Sequence, residues 1–425
     1  MHTLLFQEPG HFHAALLLRT RNPRVGRSIH VYATPGPDLD RFSALVTGFN
    51  ARVEEPTDWH VEVHASDDPL THLIDDRRGG SVVVAGRNQP KLATIRRLHD
   101  AGLNVLADKP WITTSAAVDD LHRVTAGPPL VMDLMTERHV AANRLRRRIV
   151  ATESVFGHLI ADSDELPALE FDSVHHLCKI VDGRPLRRPE WYYDVRVQGD
   201  GLVDIQSHPL DQAQWLIEGV HGADRLDRIE LDGAWRWSTP VPLSLFTEST
   251  GATAFPPSLM PDVSDGVLDL ACNGQIDYRL GGVRVRQRAV WRTRPPAGGG
   301  DTHRSIARGT GAEVTIQHGP ATGHRPRIHV GSSADHHLTA RVSECLDDWR
   351  AELPGLTMRP SPLGYELVIP AALDTPHEAT FPLVLDDFLD QVDQDRWSAV
   401  TAHRIRTRYT LLARAHDEAR DGPPS

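Results

Sequence analysis

The run from Gly199 to Leu216, GDGLVDIQSHPLDQAQWL, carries the most suggestive chemical spacing in the chain. If a helix starts within it, Asp204, His208 and Asp211 fall at i, i+4 and i+7 and share one face. A carboxylate one turn from an imidazole fixes its tautomer and raises its basicity, as a general base for an alcohol proton requires. A capped helix holding a buried, hydrogen-bonded histidine satisfies the same pattern, so the residues alone leave both readings open. A second candidate is Lys109, in Ala107-Asp108-Lys109-Pro110-Trp111, where a lysine at the carboxyl end of a parallel strand stands on the edge at which open α/β sheets bind ligands. A solvated cation is the plain alternative, although Pro110 restrains the backbone there.

These side chains need a frame. The first 140 or so residues alternate short apolar runs with helical patterns, which predicts strands at 3–7, 29–33, 81–85, 103–107 and 130–133 in a parallel sheet with crossover helices. His13–Arg21 and Lys91–Ala101 have helical apolar spacing, the latter stopped by Gly102. The turn after the first strand, Gln7 to His13, is where a dinucleotide pyrophosphate would be cradled, yet it keeps only Gly10 of a GxGxxG pattern. An ordinary turn glycine fits equally. No acid follows the second strand at once, which makes Asp38 the nearest candidate for a ribose and leaves NAD against NADP unspecified.

Beyond about residue 150 the texture becomes that of an antiparallel sheet. Asn273-Gly274 and Gly281-Gly282 each read as two-residue hairpin turns within a meander from Gly266 to Trp291. In its last run Val283, Val285 and Ala289 alternate with Arg284, Arg286 and Arg288, so one face is buried. Residues 294–303, RPPAGGGDTH, read as a loop and a candidate lid, two helices are expected near Val384–Val392 and Trp397–Leu412, and the tail after Asp421 is expected to fray. The domain expectation is 1–140, 141–382 and 383–425.

Composition narrows the function. With 425 residues, 40% hydrophobic and 24% charged, the chain suits two or three folded domains. A net charge of −11 argues against nucleic acid as partner. Cys178, Cys272 and Cys345 are far apart with no CxxC, which argues for a reducing compartment. No stretch approaches the roughly 20 apolar residues of a spanning helix, so a cytoplasmic protein without membrane partners is expected. His176, Asp204, His208 and His303 could converge as ligands, but no HExxH-like spacing supports it, and no metal is expected. The run Arg144, Arg146, Arg147, Arg148 reads as a solvated helix face.

Taken together, these motifs carry a resemblance. Asp108-Lys109-Pro110 resembles the Glu-Lys-Pro motif of the Gfo/Idh/MocA oxidoreductases, the family of glucose-fructose oxidoreductase and inositol dehydrogenase. Gly201–Leu216 resembles that family's D-x-x-x-H-x-x-D-x-x-x-W-L segment, and Asn88 stands at the asparagine of its P-N-x-x-H motif, with Lys91 in place of the histidine. The strings PGHFHAAL, LADKP, MTER, SVHH and GDTH are similar to those of a divergent branch of the family. The resemblance implies an N-terminal Rossmann-like, doubly wound parallel sheet plus a C-terminal α+β domain with a large, mostly antiparallel open sheet.

It also implies NAD or NADP as cofactor and a homo-oligomer formed through the open sheet. Lys109, His208 and Asp204 would be catalytic: Lys109 on the reacting hydroxyl, His208 as acid/base, Asp204 in support. Gly10, His11, Phe12, His13, Asn88, Asp108, Lys109 and Pro110 would hold the cofactor. Glu137, His175, His176, Trp191, Tyr192, Asp211 and His303 would face the substrate, a sugar or glycoside, whose hydroxyls take hydrogen bonds while its C–H faces pack on aromatics. The expected reaction is hydride transfer at a carbinol carbon, with a 3-keto glycoside as the first product to look for. Transient oxidation in a redox-neutral glycosidase, and a nucleotide-sensing regulator without turnover, stand as alternatives.

Overall fold

The computed structural model describes residues 1–160, 166–181, 184–222, 225–226, 228–296, 299–332 and 337–424. They fall into two compact units: Met1–Thr136 with Arg196–Gly199 and Pro376–Ala413, and Glu137–Val195 with Asp200–Thr375 and Arg414–Ser425.

The first unit is built on a six-stranded parallel sheet: β1 (Leu4–Gln7), β2 (Ser28–Ala33), β3 (His60–Ala65), β4 (Ser81–Val84), β5 (Asn104–Ala107) and β6 (Val131–Asp133), in the order β3-β2-β1-β4-β5-β6. Every residue of β1 and β4 is buried, as central strands covered on both faces must be. The order reverses between β1 and β4, the switch point at which such sheets bind ligands.

Strand β3, reading HVEVHA, escapes the sequence reading because it lies at the sheet edge, partly exposed and rich in polar residues. Helix α1 (His13–Leu16) is also shorter than the nine residues read from His13 to Arg21. The other crossovers are α2 (Pro37–Asn50), α3 (Pro69–Asp76), α4 (Lys91–Asp100) and α5 (Val118–Val124). Pro37 opens α2 with Asp38 and Asp40 in the first turn, where the helix dipole favours acids, and Leu39, Phe42, Val46 and Phe49 form its buried stripe.

Two helices from the chain end complete this unit. Helix Thr380–Asp393 buries Phe381, Val384, Leu385, Phe388 and Leu389 in one core with Leu4, Phe6, Val31, Leu106 and Met132. Arg24 holds it from outside through Asp390 at 2.6 Å and Asp393 at 2.7 Å. The second, Ala399–Asp417, supplies Arg408, buried and paired with buried Asp133, and Tyr409, whose hydroxyl donates to Asp133 Oδ2 at 3.1 Å. Trp111 stacks on Tyr409, ring centroids 5.6 Å apart.

The second unit carries β7 (Leu169–His176), β8 (Ile180–Val181), β9 (Arg184–Pro185), β10 (Ile229–Pro242), β11 (Val263–Ser264), β12 (Val267–Leu280), β13 (Val283–Arg292), β14 (Thr302–Arg308), β15 (Glu313–His318), β16 (Arg327–Gly331), β17 (Thr357–Ser361), β18 (Gly364–Val368) and β19 (Arg420–Asp421). Its eleven-stranded sheet runs β17-β18-β16-β15-β14-β7-β13-β12-β10-β19, with β11 on β12. Among the described residues of this sheet, only β13·β7 and β10·β19 pair in parallel. Gly281-Gly282 is the expected hairpin, both glycines at positive φ, and along β13 Val283, Val285 and Ala289 are buried while the arginines between them reach the surface.

Asn273-Gly274, however, is no turn: it lies inside the 14-residue β12. The glycine serves close approach, since a Cβ on Gly274 would stand 2.4 Å from the carbonyl oxygen of Gly201. Asn273 bonds Trp237 O, Thr239 Oγ1 and Trp291 N, knitting three strand segments together. Part of the expected lid, 297–298, lies outside the described residues, and its end is strand, beginning at Thr302. Arg146 departs from a solvated face: it is fully buried, bonded to Ser305 Oγ at 2.6 Å and to Asn143 Oδ1 at 3.2 Å. The tail is held through Gly422, whose amide donates to Arg236 O at 2.8 Å. No described helix is long and apolar enough to cross a membrane.

Candidate active site

In the first unit the chain leaves β1 through Glu8, at φ 46°, and turns back on itself. Glu8 Oε1 accepts from the Thr34 amide at 2.9 Å and its hydroxyl at 2.8 Å, tying the ends of β1 and β2. The Gly10 amide donates to Glu8 O and the His11 amide to Ala85 O, so both sides of the switch point are joined by backbone. A Cβ on Gly10 would lie 2.9 Å from Asp38 Oδ2, and one on Gly86 2.4 Å from Glu8 O; two close approaches explain two glycines. Asp38 is flanked by Arg41 and by Arg87 at 3.5 Å.

Asp108 gathers the rest. It follows β5 and is buried, with His13 Nδ1 at 3.1 Å from both carboxylate oxygens, His11 Nδ1 at 3.0 Å, and the Lys109 amide donating to Oδ1 at 2.9 Å. Burial pushes the His13 imidazole down to about 3, against the pull of Asp108. Burial opposes ionisation of Asp108 too, but His13 and His11 outweigh it and hold the carboxyl well below its usual range. The two imidazoles meet edge-on with ring centroids 4.1 Å apart, Phe12 packs against both at 4.7 Å and 4.5 Å, and Phe381 closes on His13 at 4.7 Å.

Gly10, His11, Phe12, His13, Asp108, Lys109 and Pro110 therefore cluster at the ends of β1 and β5, with Lys109 buried and its bond to Pro110 cis. Asn88 has a different occupation: its Nδ2 donates to Gln198 O at 2.6 Å and its Oδ1 accepts from Lys91 Nζ. Lysine at position 91 thus replaces the family-like histidine with a buried donor to Asn88.

In the second unit His175 and His176 end β7 and His303 stands on the neighbouring β14. Asp301 binds them from one side: Oδ1 accepts from the His176 amide at 3.0 Å and contacts His176 Nδ1 at 3.1 Å, while Oδ2 contacts His175 Nδ1 at 3.4 Å and Lys179 Nζ at 2.5 Å. Burial opposes its charge, yet His175 and Lys179 hold the carboxyl far below its usual range. Burial lowers His175, and burial with neighbouring His175 and His318 drives His303 well down, so both rings are neutral near pH 7.

His175 leans on Trp291 at 5.0 Å, Tyr192 meets Trp291 edge-on at 6.2 Å, and the Arg188 guanidinium lies over Tyr192 at 4.3 Å. Trp191 packs beside them on the same apolar cluster. Glu137 accepts from Asn143 Nδ2 at 3.0 Å and its charge reaches His318.

Of the three residues expected on one helical face, Asp204 precedes the helix while His208 and Asp211 lie within it. The chain turns from Gly201 to Gln206, pinned to β12 by the Gly201 amide on Ala271 O and by Gln206 Nε2 on Gly274 O, and the helix begins only at Ser207. Asp204 consequently precedes the helix, buried, and its charge is felt by His175, Tyr192 and Cys272. His208 is the second helical residue. Asp211 is fully buried, with both oxygens on Arg138 at 2.5 Å and 2.8 Å.

A family model described as "Putative oxidoreductase C terminal domain" matches residues 145–420. A "putative oxidoreductase" from Parabacteroides merdae ATCC 43184, known as a crystal structure, is 33% identical, with 98% of this chain and 97% of that chain covered and a TM-score of 0.93. The chain belongs to the Gfo/Idh/MocA oxidoreductases.

Other solved structures share the fold at lower identity. The apo form of levoglucosan dehydrogenase is 14% identical, with 98% and 97% of the two chains covered and a TM-score of 0.61. A 3-ketoreductase from Actinomadura kijaniata, in complex with NADP and TDP-benzene, is 14% identical over 99% and 98% of the chains, with a TM-score of 0.57. No curated protein matches.

As a member of this family the chain is an oxidoreductase. The residues fit a nicotinamide dinucleotide: the glycine of the turn lies against an acid, Asp38, as ribose recognition requires, at the sheet's switch point. Asp301 and Glu8 carry no local spacing that marks them as site residues in the sequence. The string GDTH contains Asp301 beside the more conspicuous His303, and Glu8 sits in a turn whose glycines are the recognisable signal.

Proposed function

We propose that the chain oxidises or reduces a carbinol carbon of a sugar or glycoside, with NAD as the favoured cofactor. The observation that supports this best is the Asp108 clamp, which fixes the turn after β1 and the backbone of Lys109 with one carboxylate. Bound nicotinamide supplies the hydride acceptor or donor. Lys109 stabilises the alkoxide that develops on the substrate oxygen, and His208 takes the hydroxyl proton on oxidation or returns it on reduction. Asp204 positions the substrate or the histidine at that end. Hydroxyl recognition falls to His175 and His176, held by Asp301, and to His303, whose ring meets that of His175, with Tyr192 and Trp291 offering apolar faces to the sugar ring. Glu137 and Trp191 extend this set, while Asp211 acts through Arg138.

Purified protein mixed with NAD and a panel of glycosides is expected to accumulate reduced cofactor, and Lys109→Ala and His208→Ala to abolish it. Full activity in both variants overturns the assignment. A second reading rests on the Gly10 and His11 amides, which are engaged by Glu8 and Ala85 rather than offered to phosphate. It is a nucleotide sensor, and NAD binding by calorimetry without turnover of any polyol or glycoside selects it. Net glycoside cleavage with catalytic NAD and no accumulating NADH identifies the redox-neutral variant of the proposal.

A further inference from the structure

Away from the nucleotide turn, strands β2 and β3 place a second set of chemically able side chains on one sheet face. Parallel register pairs Ser28 with His60, His30 with Glu62 and Tyr32 with His64, and because side chains alternate, all six share a face. Helix α3 brings His72 and Asp76 to the same place: the Tyr32 hydroxyl donates to Asp76 Oδ2 at 2.6 Å, and the His72 ring meets Tyr32 edge-on at 5.3 Å. His30 Nδ1 lies 3.0 Å from His64 Nε2 and 3.4 Å from a Glu62 carboxylate oxygen.

We infer that His30, Glu62 and His64 form a binding site for a divalent transition-metal ion of the zinc class, open at its fourth position to water. Zinc bonds to imidazole nitrogen and carboxylate oxygen are about 2.0–2.2 Å long, so two ligand atoms on a tetrahedral ion stand about 3.3 Å apart and two at a right angle about 2.9 Å. The two separations, 3.0 Å and 3.4 Å, are edges of such a polyhedron. Two imidazoles and one carboxylate are also the borderline nitrogen and oxygen donors that zinc, cobalt and nickel prefer over calcium or magnesium.

Surrounding groups suit outer support. Ligand atoms of His64, His72 and Asp76 lie within 4.8 Å of one another, which puts a carboxylate near the ligating imidazole, as metal-bound histidines usually have. Asp76 itself is engaged by Tyr32 and by Arg78 at 2.6 Å, so it orients rather than ligates, and Arg78 limits the charge the site can gather. His11, His13 and Asp108 form a comparable group, but that one closes on itself within the nucleotide turn. An ion on His30, Glu62 and His64 would pin the edge strand β3 to β2, making the site a structural staple of the sheet.

The test uses the full chain without a histidine tag, stripped with EDTA and titrated with zinc chloride by calorimetry, with bound metal counted by elemental analysis. One zinc per chain is expected, with micromolar or tighter affinity and a melting temperature several degrees higher. The double variant His30→Gln, His64→Gln and the single variant Glu62→Gln, the last at a half-buried position where the isosteric amide is compatible with folding, are expected to lose at least about tenfold in affinity and the thermal gain. Cobalt loading is expected to give visible absorption bands in the parent chain that both variants lack. Zinc binding unchanged in the variants, or absent at about 1 mM, overturns the proposal.

Discussion

His13 Nδ1 stands 3.1 Å from each carboxylate oxygen of Asp108, across 95 positions of chain, and so ties the first strand's turn to the fifth strand's end. Asp108→Asn removes the charge while keeping the shape. One of its two imidazole contacts then loses its acceptor, at a cost of about 1–3 kcal/mol for an unmet buried donor. The expected outcome is a lower melting temperature and at least about tenfold weaker NAD binding, read by calorimetry; unchanged NAD affinity would falsify the clamp's role.

Asp38 lies against Gly10 and between Arg41 and Arg87. Its charge opposes a 2′-phosphate, and Asp38→Asn leaves two arginines facing that position. The ratio of kcat/KM for NADP over NAD should rise by about tenfold or more, measured side by side on one substrate.

Asp133 and Arg408 are both buried. Asp133→Ala removes a carboxylate partner from a buried guanidinium inside the first unit and deprives the Tyr409 hydroxyl of its acceptor. Loss of about 3–5 kcal/mol is expected, checked by denaturant titration. Recovery in Asp133→Ala, Arg408→Met would show that the charge, not the packing, was responsible.

His416 Nδ1 bonds Asp200 Oδ2 at 2.8 Å. That bond raises the imidazole above its ordinary value; burial works against Asp200, but His416 and Arg236 hold its carboxyl below the usual range. The raised imidazole gives stability that is complete below about pH 6.5 and lost as pH rises through its folded value, whereas the lowered carboxyl's share is lost as pH falls below about 4. His416→Gln should therefore depress the melting temperature more at about pH 5.5 than at about pH 8.5. An equal depression at both values would count against the ion pair.

Much of the architecture is legible in the chain because apolar runs such as SVVV and helical stripes such as Leu92, Ile95 and Leu98 have one cheap way to be buried. His60–Ala65 is not, since an edge strand needs no apolar face. Asn273-Gly274 misleads for another reason: turn chemistry and close backbone approach both call for glycine, and only the partner, Gly201, distinguishes them. Asp204 is displaced from its expected helix because the same two glycines draw Gly201–Gln206 onto β12. Long-range partners such as Asp301 for His175 and His176, or Asp133 for Arg408, leave no local spacing to read.

The route of the chain has a consequence for anyone cutting it. Phe381, Val384, Phe388 and Leu389 seal the interior formed by Leu4, Phe6 and Met132, and Arg408 neutralises Asp133, though all of these arrive hundreds of positions after the sheet they serve. An excised N-terminal fragment would expose greasy strands and strand an acid without its counter-ion. On the ribosome, likewise, the nucleotide half must wait for the final helices before its fold can lock, so synthesis order and folding order diverge.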